Sequence, residues 1–227
     1  WAIVVGLPGP VDFETGRPVA PPIMPGWNGF DVRGAFETRY DAPVWVDNDV
    51  NLLAAGERAR RRDEGVDLIY CKVGTGIGAG LVSRGRLHRG ANGAAGDMGH
   101  VRVPGATQIC RCGKTGCLEA LISPSHLGPR LERADAPKKQ RILAKAGRSL
   151  GTALTPIVAA LGVNAVILAG PRDFVDGPLI EEARRTIERR TLPAVTREMQ
   201  MRAVTNPDDL ILEGAAALVL STQLGIS

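Results

Sequence analysis

The amino-acid sequence predicts an α/β fold, because buried strands alternate with helices along the chain. Short apolar runs stop at Gly, Pro or Asp, as in WAIVVGLPGP at 1–10. Segments with helical character follow several of them, as in DNDVNLLAAGERARRRDEG at 47–65. With 44% hydrophobic and 23% charged residues and no internal repeat, the chain has the composition of an ordinary globular protein.

The order of the expected elements supports this fold class. The strands are expected at 1–6, 42–49, within 66–90 as a pair joined by a glycine-rich turn, at 164–169 and at 197–204. The helices are expected at 30–41, 47–65, 123–161, 178–190 and 208–224. We expect the long helical region to be interrupted near Pro137 and again near Pro156, because proline removes a helical hydrogen bond.

Charge and cysteine usage exclude some classes of protein. The net charge of +4 and the pI of 9.1 permit a nucleic-acid surface without requiring one. The four cysteines form no regular framework, which argues against a disulfide-stapled secreted fold and predicts a reducing, cytoplasmic location. The longest apolar tract, 157–170, is interrupted and too short to span a bilayer. Because the chain opens in mid-strand at Trp1, we expect it to be a fragment of a longer protein.

A histidine and three cysteines predict a metal site in HVRVPGATQICRCGKTGCLE at 100–119. A structural tetrahedral zinc site prefers four ligands of these types. The expected ligands are His100, Cys110, Cys112 and Cys117. Gly113 and Gly116 would let the backbone turn tightly between them. The alternative is a group of free or redox-active thiols, and we interpret Cys71, in an apolar strand, as core packing.

The expected metal also suggests a ligand. It would hold His100 and Glu119 at the two ends of one rigid loop, so that both face a common molecule. An imidazole and carboxylates suit a polyhydroxylated ligand, because each carboxylate accepts hydrogen bonds from adjacent hydroxyls. We therefore expect a sugar.

The glycine-rich segment VGTGIGAG at 73–80 is a candidate phosphate-binding loop. The backbone at Gly74, Gly76 and Gly78 and the Thr75 hydroxyl would approach phosphate oxygens. The segment matches neither the P-loop, which needs a following Lys-Ser/Thr pair, nor a dinucleotide fingerprint, which needs a helix here. A tight hairpin with no ligand is the alternative.

The tetrapeptide VDND places polar residues where a strand meets a helix. Helix N-capping explains Asn or Asp at such a junction. The functional alternative is that Asn48 and Asp49 hold a sugar hydroxyl, with Asp49 accepting its proton in phosphoryl transfer. In GLPGPVD, Gly9 is either a point of close approach to a sugar ring or part of a turn.

Taken in order, six motifs resemble the ROK family of bacterial repressors and sugar kinases. They are GLPGPVD, PGWNG, VDNDVNLLAAGE, VGTGIGAGLV, GRLHRGANGAAGDMGH and CRCGKTGCLE. The resemblance implies a hexokinase- and actin-like (ribonuclease H-like) α/β fold with two lobes, here with the N-terminal strands missing, and assembly as a homodimer or homotetramer. We expect the first lobe at 1–62 and the second, with the zinc loop, at 63–227. The last helix would pack back on the first lobe.

The resemblance also implies roles for individual residues. Asn48, Asp49, His100 and Glu119 fall on sugar-contacting positions, with Asp49 on the catalytic base and Gly9 in the adjoining loop. The metal ligands fall on the family's zinc ligands. Asp97 stands where the family usually has Glu, one methylene longer, so its sugar contact is expected to be lost or rerouted.

Departures from the family pattern guide the choice between its branches. Pro171 and Arg172 follow the strand in VILAGPRDF, where the kinases usually show a Gly-Gly-rich turn, and proline alters the turn that would admit a nucleotide. We therefore expect the sugar-sensing part of a NagC/XylR-type transcriptional regulator, with a DNA-binding winged helix-turn-helix upstream of Trp1. The alternative is an ATP- and magnesium-dependent hexose or amino-sugar kinase with Asp49 as base.

Overall fold

The computed structural model describes residues 1–61, 65–204 and 208–225. Its strands are β1 (Ile3–Leu7), β2 (Val11–Asp12), β3 (Arg17–Pro18), β4 (Val44–Asn48), β5 (Leu68–Val73), β6 (Ile77–Ser83), β7 (Arg86–His88), β8 (Ala165–Ala169) and β9 (Gln200–Val204). Its α-helices are α1 (Val32–Glu37), α2 (Asp49–Arg60), α3 (Leu118–Ile122), α4 (Pro124–Glu132), α5 (Ala136–Leu161), α6 (Arg172–Val175), α7 (Pro178–Arg190), α8 (Pro193–Thr196) and α9 (Asp208–Gln223). A 3-10 turn covers Pro25–Trp27.

The chain forms two compact units that are interleaved in sequence. Unit 1 comprises Trp1–Val66, Ala79–Asp97 and Pro207–Ser227, and unit 2 comprises Asp67–Gly78 and Met98–Asn206. The expected lobe boundary between 62 and 63 falls within 62–64, outside the described residues. Residues 79–97 and helix α9 follow the expected boundary in sequence and belong to unit 1.

Unit 1 is built around a parallel pair of strands. Strands β1 and β4 pair in parallel, with Ile3 opposite Val44 and Leu7 opposite Asn48. Apolar side chains of these two strands, of β2 and of α1 form a core whose buried members are Leu7, Val11, Val32, Val44 and Val46. Strand β4 passes directly into α2, because Asn48 ends the strand and caps the helix by accepting from the N–H groups of Val50 and Asn51.

Helices α2 and α9 of unit 1 touch through glycines. A Cβ on Gly214 would overlap the carbonyl oxygen of Leu52, and a Cβ on Gly56 would overlap that of Leu210. Only glycine allows the two backbones to approach so closely. At the edge of this contact, Arg60 donates to both oxygens of Glu213 at 2.6 and 2.8 Å.

We expect Gly214→Val to lower the free energy of unfolding by about 3 kcal/mol or more, because the backbones would have to separate. Urea denaturation followed by circular dichroism measures this. Ala216→Val is the matched control, since Ala216 is exposed on the same helix and carries the same β-branched penalty. Equal effects of the two substitutions would contradict the close contact.

Unit 2 contains a parallel sheet whose middle strand is buried throughout. Strand β8 lies between β5 and β9 and pairs in parallel with both, with Ala165 opposite Leu68 and Gln200. Every residue of β8 is buried, as expected for the centre of a parallel sheet. Helices α5 and α7 pack along each other beside it.

One expectation about the helices is wrong. Helix α5 begins at Ala136, with Pro137 in its first turn, but it continues through Pro156 to Leu161 without a break. Proline costs a helix a single backbone hydrogen bond. The buried face of α5, packed along α7, offsets this loss.

None of the helices in the described parts of the chain has the length and hydrophobicity needed to span a bilayer.

Candidate functional site

The expected metal ligands lie together in unit 2. Their ligand atoms are all within 4.8 Å of one another, and the residues are His100, Cys110, Cys112 and Cys117. The Cys110 sulfur is 3.7 Å from His100 Nδ1. The sulfurs of Cys112 and Cys117 are also 3.7 Å apart. A metal at about 2.3 Å from each thiolate in a tetrahedron sets sulfurs about 3.8 Å apart. The group therefore fits one tetrahedral metal ion.

Local backbone structure brings these ligands together. Cys110 donates its N–H to the carbonyl of Lys114 at 2.8 Å, and Gly113 donates to the carbonyl of Cys110 at 2.9 Å. Gly113 and Gly116 have φ angles of +86° and +81°, which other residues rarely adopt. The resulting tight turn returns Cys117 towards Cys110.

The thiols of the cluster differ in their acidity. Burial raises the pKa of Cys110, and burial together with hydrogen bonds to the neighbouring thiols raises the pKa of Cys117 to about 12. Burial acts in the same direction at Cys112, but hydrogen bonds from the Lys114 backbone and from the two other cysteines lower its pKa overall. Cys112 is therefore the thiol that most readily supplies a thiolate.

Glu119 lies two residues beyond Cys117, in the first turn of α3, and is 6% exposed. Its Oε2 accepts the N–H of Ile77 at 3.1 Å. Its Oε1 lies 3.1 Å from Nε of Arg111, which stands between two of the cysteines. The structure thus joins Glu119, the cysteine loop at 110–117 and the turn at 74–77 within unit 2.

The glycine-rich segment forms a tight turn between β5 and β6. Gly74 donates its N–H to the carbonyl of Gly76 at 3.0 Å, and Gly78 already lies in β6. The carbonyl of Thr75 accepts from Arg111 at 3.0 Å. A strand, not a helix, follows the turn, so a dinucleotide-type loop is excluded.

A small open pocket of about 150 Å³ borders the cysteine loop in unit 2. Its lining is polar apart from two apolar side chains and a cysteine, and consists of Ile109, Cys110, Arg111, Glu119, Ala120, Ser123, Ser125 and His126. Arg111 and Glu119 are therefore accessible to a small molecule.

The remaining predicted residues lie in unit 1. Nδ2 of Asn48 donates to the carbonyl of Gly9 at 2.8 Å, while its Oδ1 caps α2. The capping interpretation is therefore correct, and the same amide also fixes the loop at Gly9. Asp49 is half-buried in the first turn of α2, and Asp97 is exposed. His100 and Glu119 belong to unit 2.

A buried ion pair beside these residues was missed in the sequence. Nε and a terminal nitrogen of Arg89 lie 2.9 and 2.7 Å from Oδ2 of Asp47, which is 1% exposed. The other oxygen of Asp47 accepts from the Asn48 N–H at 2.7 Å and from Asn51 Nδ2 at 2.8 Å. The Arg89 guanidinium also lies 3.8 Å from the centre of the Phe13 ring. The position of Arg89 in a family motif was the available signal, but its partner stands 42 residues away.

A model of the ROK family matches residues 1–222. The chain belongs to the ROK family. The resemblance carried by the six sequence motifs is therefore confirmed.

Both repressors and kinases occur among the relatives of this ROK protein. A glucokinase of Halalkalibacterium halodurans is 27% identical in an alignment of 249 residues that covers 96% of this chain and 75% of the relative. A xylose repressor of Caldicellulosiruptor bescii is 27% identical in an alignment of 252 residues that covers 98% of this chain and 63% of the relative. The chain thus spans less than two thirds of that repressor.

Solved structures confirm the expected hexokinase- and actin-like α/β fold of this ROK chain. A ROK family transcriptional regulator, described as a homolog of the E. coli MLC protein, matches with a TM-score of 0.82 at 21% identity, over 96% of this chain and 61% of that one. A ROK hexokinase from Thermus thermophilus matches with a TM-score of 0.73 at 30% identity, over 95% of this chain and 77% of that one.

Proposed function

We propose that this chain is the sugar-sensing part of a NagC/XylR-type transcriptional regulator with a structural zinc. One observation favours this function over catalysis of phosphoryl transfer. The carboxylate of Glu119 accepts the Ile77 N–H at 3.1 Å and crowds Gly76. The carboxylate takes up the space beside Gly76 that a phosphate oxygen would need, even though Arg111 balances its charge.

Zinc is the metal that the donor set favours. Thiolates and an imidazole in a tetrahedron suit zinc, whereas magnesium and calcium prefer oxygen ligands. The four ligands leave no open position in such a tetrahedron, which is typical of a structural site. The metal would stabilise the loop that carries Glu119.

The proposed sugar contacts divide into two groups of different chemistry. The carboxylates of Asp49, Asp97 and Glu119 would accept hydrogen bonds from sugar hydroxyls. The side chains of Asn48 and His100 could donate hydrogen bonds to the sugar or accept them from it. Gly9 lets the backbone lie close to the ring. Asn48 is held by its bond to Gly9, so it reaches the ligand with little loss of conformational entropy.

Regulation would proceed by a shift of populations. A sugar that binds one conformation of the protein more tightly than another favours that conformation by the ratio of the two affinities. In a homodimer or homotetramer, this shift would change the spacing of DNA-reading helices supplied by a winged helix-turn-helix outside this chain. Free thiols are compatible with the cytoplasmic location that we propose.

An ATP-dependent sugar kinase is the second candidate, which the glucokinase relative favours. Asp49 would then act as the base on the sugar hydroxyl. The turn at Gly74, Thr75, Gly76 and Gly78 would hold ATP phosphates with magnesium.

Asp49→Asn tests the choice in the full-length protein, with sugar-dependent ADP release and calorimetric sugar binding as readouts. For a sensor, we expect no ADP release from either form and about tenfold weaker sugar binding by the variant, because a charged acceptor is lost. Glu37→Gln, at the end of α1, is the control. Robust turnover by the parent protein that Asp49→Asn abolishes would establish the kinase instead.

A further inference from the structure

Arg111 connects the cysteine loop to two other parts of unit 2. It stands between Cys110 and Cys112, and its Nε lies 3.1 Å from Oε1 of Glu119. A terminal nitrogen of the same guanidinium donates to the carbonyl of Thr75 at 3.0 Å. A planar guanidinium can hold two acceptors at fixed angles, which lysine cannot do.

These bonds fix the carboxylate of Glu119 in one orientation. The guanidinium of Arg111 forms an ion pair with one oxygen, the Ile77 N–H donates to the other, and the Glu119 N–H donates to the carbonyl of Gly99 at 2.9 Å. Each carboxylate oxygen has two acceptor sites, so one site on each oxygen remains for a hydroxyl. Because Glu119 is 6% exposed, the charge of Arg111 also offsets the cost of burying it.

Arg111 and Glu119 both line the open pocket beside the cysteine loop. A ligand in this pocket meets the carboxylate of Glu119, which only accepts hydrogen bonds, next to the guanidinium of Arg111, which only donates them. Two neighbouring hydroxyls of a polyhydroxyl compound satisfy both side chains, since one hydroxyl donates to Glu119 and the other accepts from Arg111. A ligand that lacks one of these oxygens leaves a polar group without its partner.

We propose that Arg111 is a positioning and specificity-determining residue that links the four metal ligands, Glu119 and the turn at 74–76. Bound metal fixes Cys110 and Cys112, these fix the backbone of Arg111, and Arg111 holds both the carboxylate and the Thr75 carbonyl. The specificity part of this inference rests on the proposed sugar-binding function. The link between metal and turn does not.

Hydrogen exchange of the zinc-loaded chain tests the link between metal and turn. We compare the parent protein with Arg111→Ala, and read exchange in a peptide covering 73–78. Arg111→Ala should retain one zinc per chain and exchange about tenfold faster in this peptide, because an ionic hydrogen bond is lost. Chelation should speed exchange in the parent but by less than about twofold in Arg111→Ala, where the link is already broken.

Two control variants sharpen the comparison. Lys114→Ala removes an exposed cation from the same loop and leaves the pair of Arg111 and Glu119 intact, so it should exchange like the parent. Arg111→Lys keeps the charge without the planar fork and should exchange like Arg111→Ala. Parent-like exchange in Arg111→Ala, or a chelation effect as large there as in the parent, would overturn the link.

Calorimetry with a sugar that the parent binds tests the specificity part. Arg111→Ala should bind it about tenfold more weakly, and should lose discrimination against the analogue that lacks one of two adjacent hydroxyls. Unchanged affinity and discrimination would overturn this role. If the parent binds no sugar, the proposed function fails, while the exchange result still decides the link between metal and turn.

Discussion

Loss of the metal is expected to lower the melting temperature by about 10 °C or more and to abolish sugar binding at the same time. The cluster carries its own small core, in which Cys110, Cys117 and Ala120 are buried together. Structural zinc contributes folding free energy directly, and a loss of about 4 kcal/mol corresponds to roughly 10 °C in a protein of this size. Thermal melts with and without a chelator, repeated with Cys117→Ser, measure the effect.

The remaining cysteine supplies the control for this experiment. Cys71 is buried in β5, with its sulfur 3.8 Å from that of Met98, and it lies outside the cluster. Cys71→Ala should lose packing energy yet keep its sensitivity to chelator, whereas Cys117→Ser should lose that sensitivity. A melting temperature or a sugar affinity that stays the same after complete metal removal would refute the coupling of cluster and pocket.

Arg89→Ala is expected to lower the free energy of unfolding by about 3 kcal/mol or more. The substitution leaves Asp47, 1% exposed, as a buried charge without its guanidinium. Asp47 also receives the N–H of Asn48, so the loss should weaken sugar binding through the position of Asn48. Urea denaturation and calorimetry measure the two effects.

An exposed ion pair of unit 1 offers a matched comparison. Arg60 and Glu213 pair at similarly short distances, but their side chains are 47% and 43% exposed. Arg60→Ala should therefore cost no more than about 1 kcal/mol. Adding Asp47→Asn to Arg89→Ala should recover part of the stability, since the buried charge is then removed. Similar losses in Arg89→Ala and Arg60→Ala would argue against a buried pair.

The close spacing of its ligands in the sequence made the possible metal site predictable. Three of its ligands lie within 110–117, and the turn between them needs only the glycines that the sequence shows. The junction of β4 and α2 was predictable for the same reason, since Asn48 caps a helix that starts at the next residue. Pro156 was misread, because its effect depends on packing of α5 along α7 rather than on neighbours in sequence.

The partners of the predicted site residues were not predictable in this way. Glu119 bonds Ile77, 42 residues away, and Asp47 bonds Arg89 across an equal separation. The ion pair of Arg111 with Glu119 and its hydrogen bond to the Thr75 carbonyl were not foreseen either. Sequence spacing does not say which distant side chains face each other.

Residues close together in the chain sufficed to predict the main strands and helices, the resemblance to the ROK family and the four donors of the possible metal site. The structure was needed to show which glycines bring α9 onto α2, that Arg89 neutralises Asp47 and that Glu119 accepts a hydrogen bond from the glycine-rich turn. These contacts form when packing excludes water and brings distant backbones together. A polar group that is buried without a partner costs free energy, so each of these groups needs one.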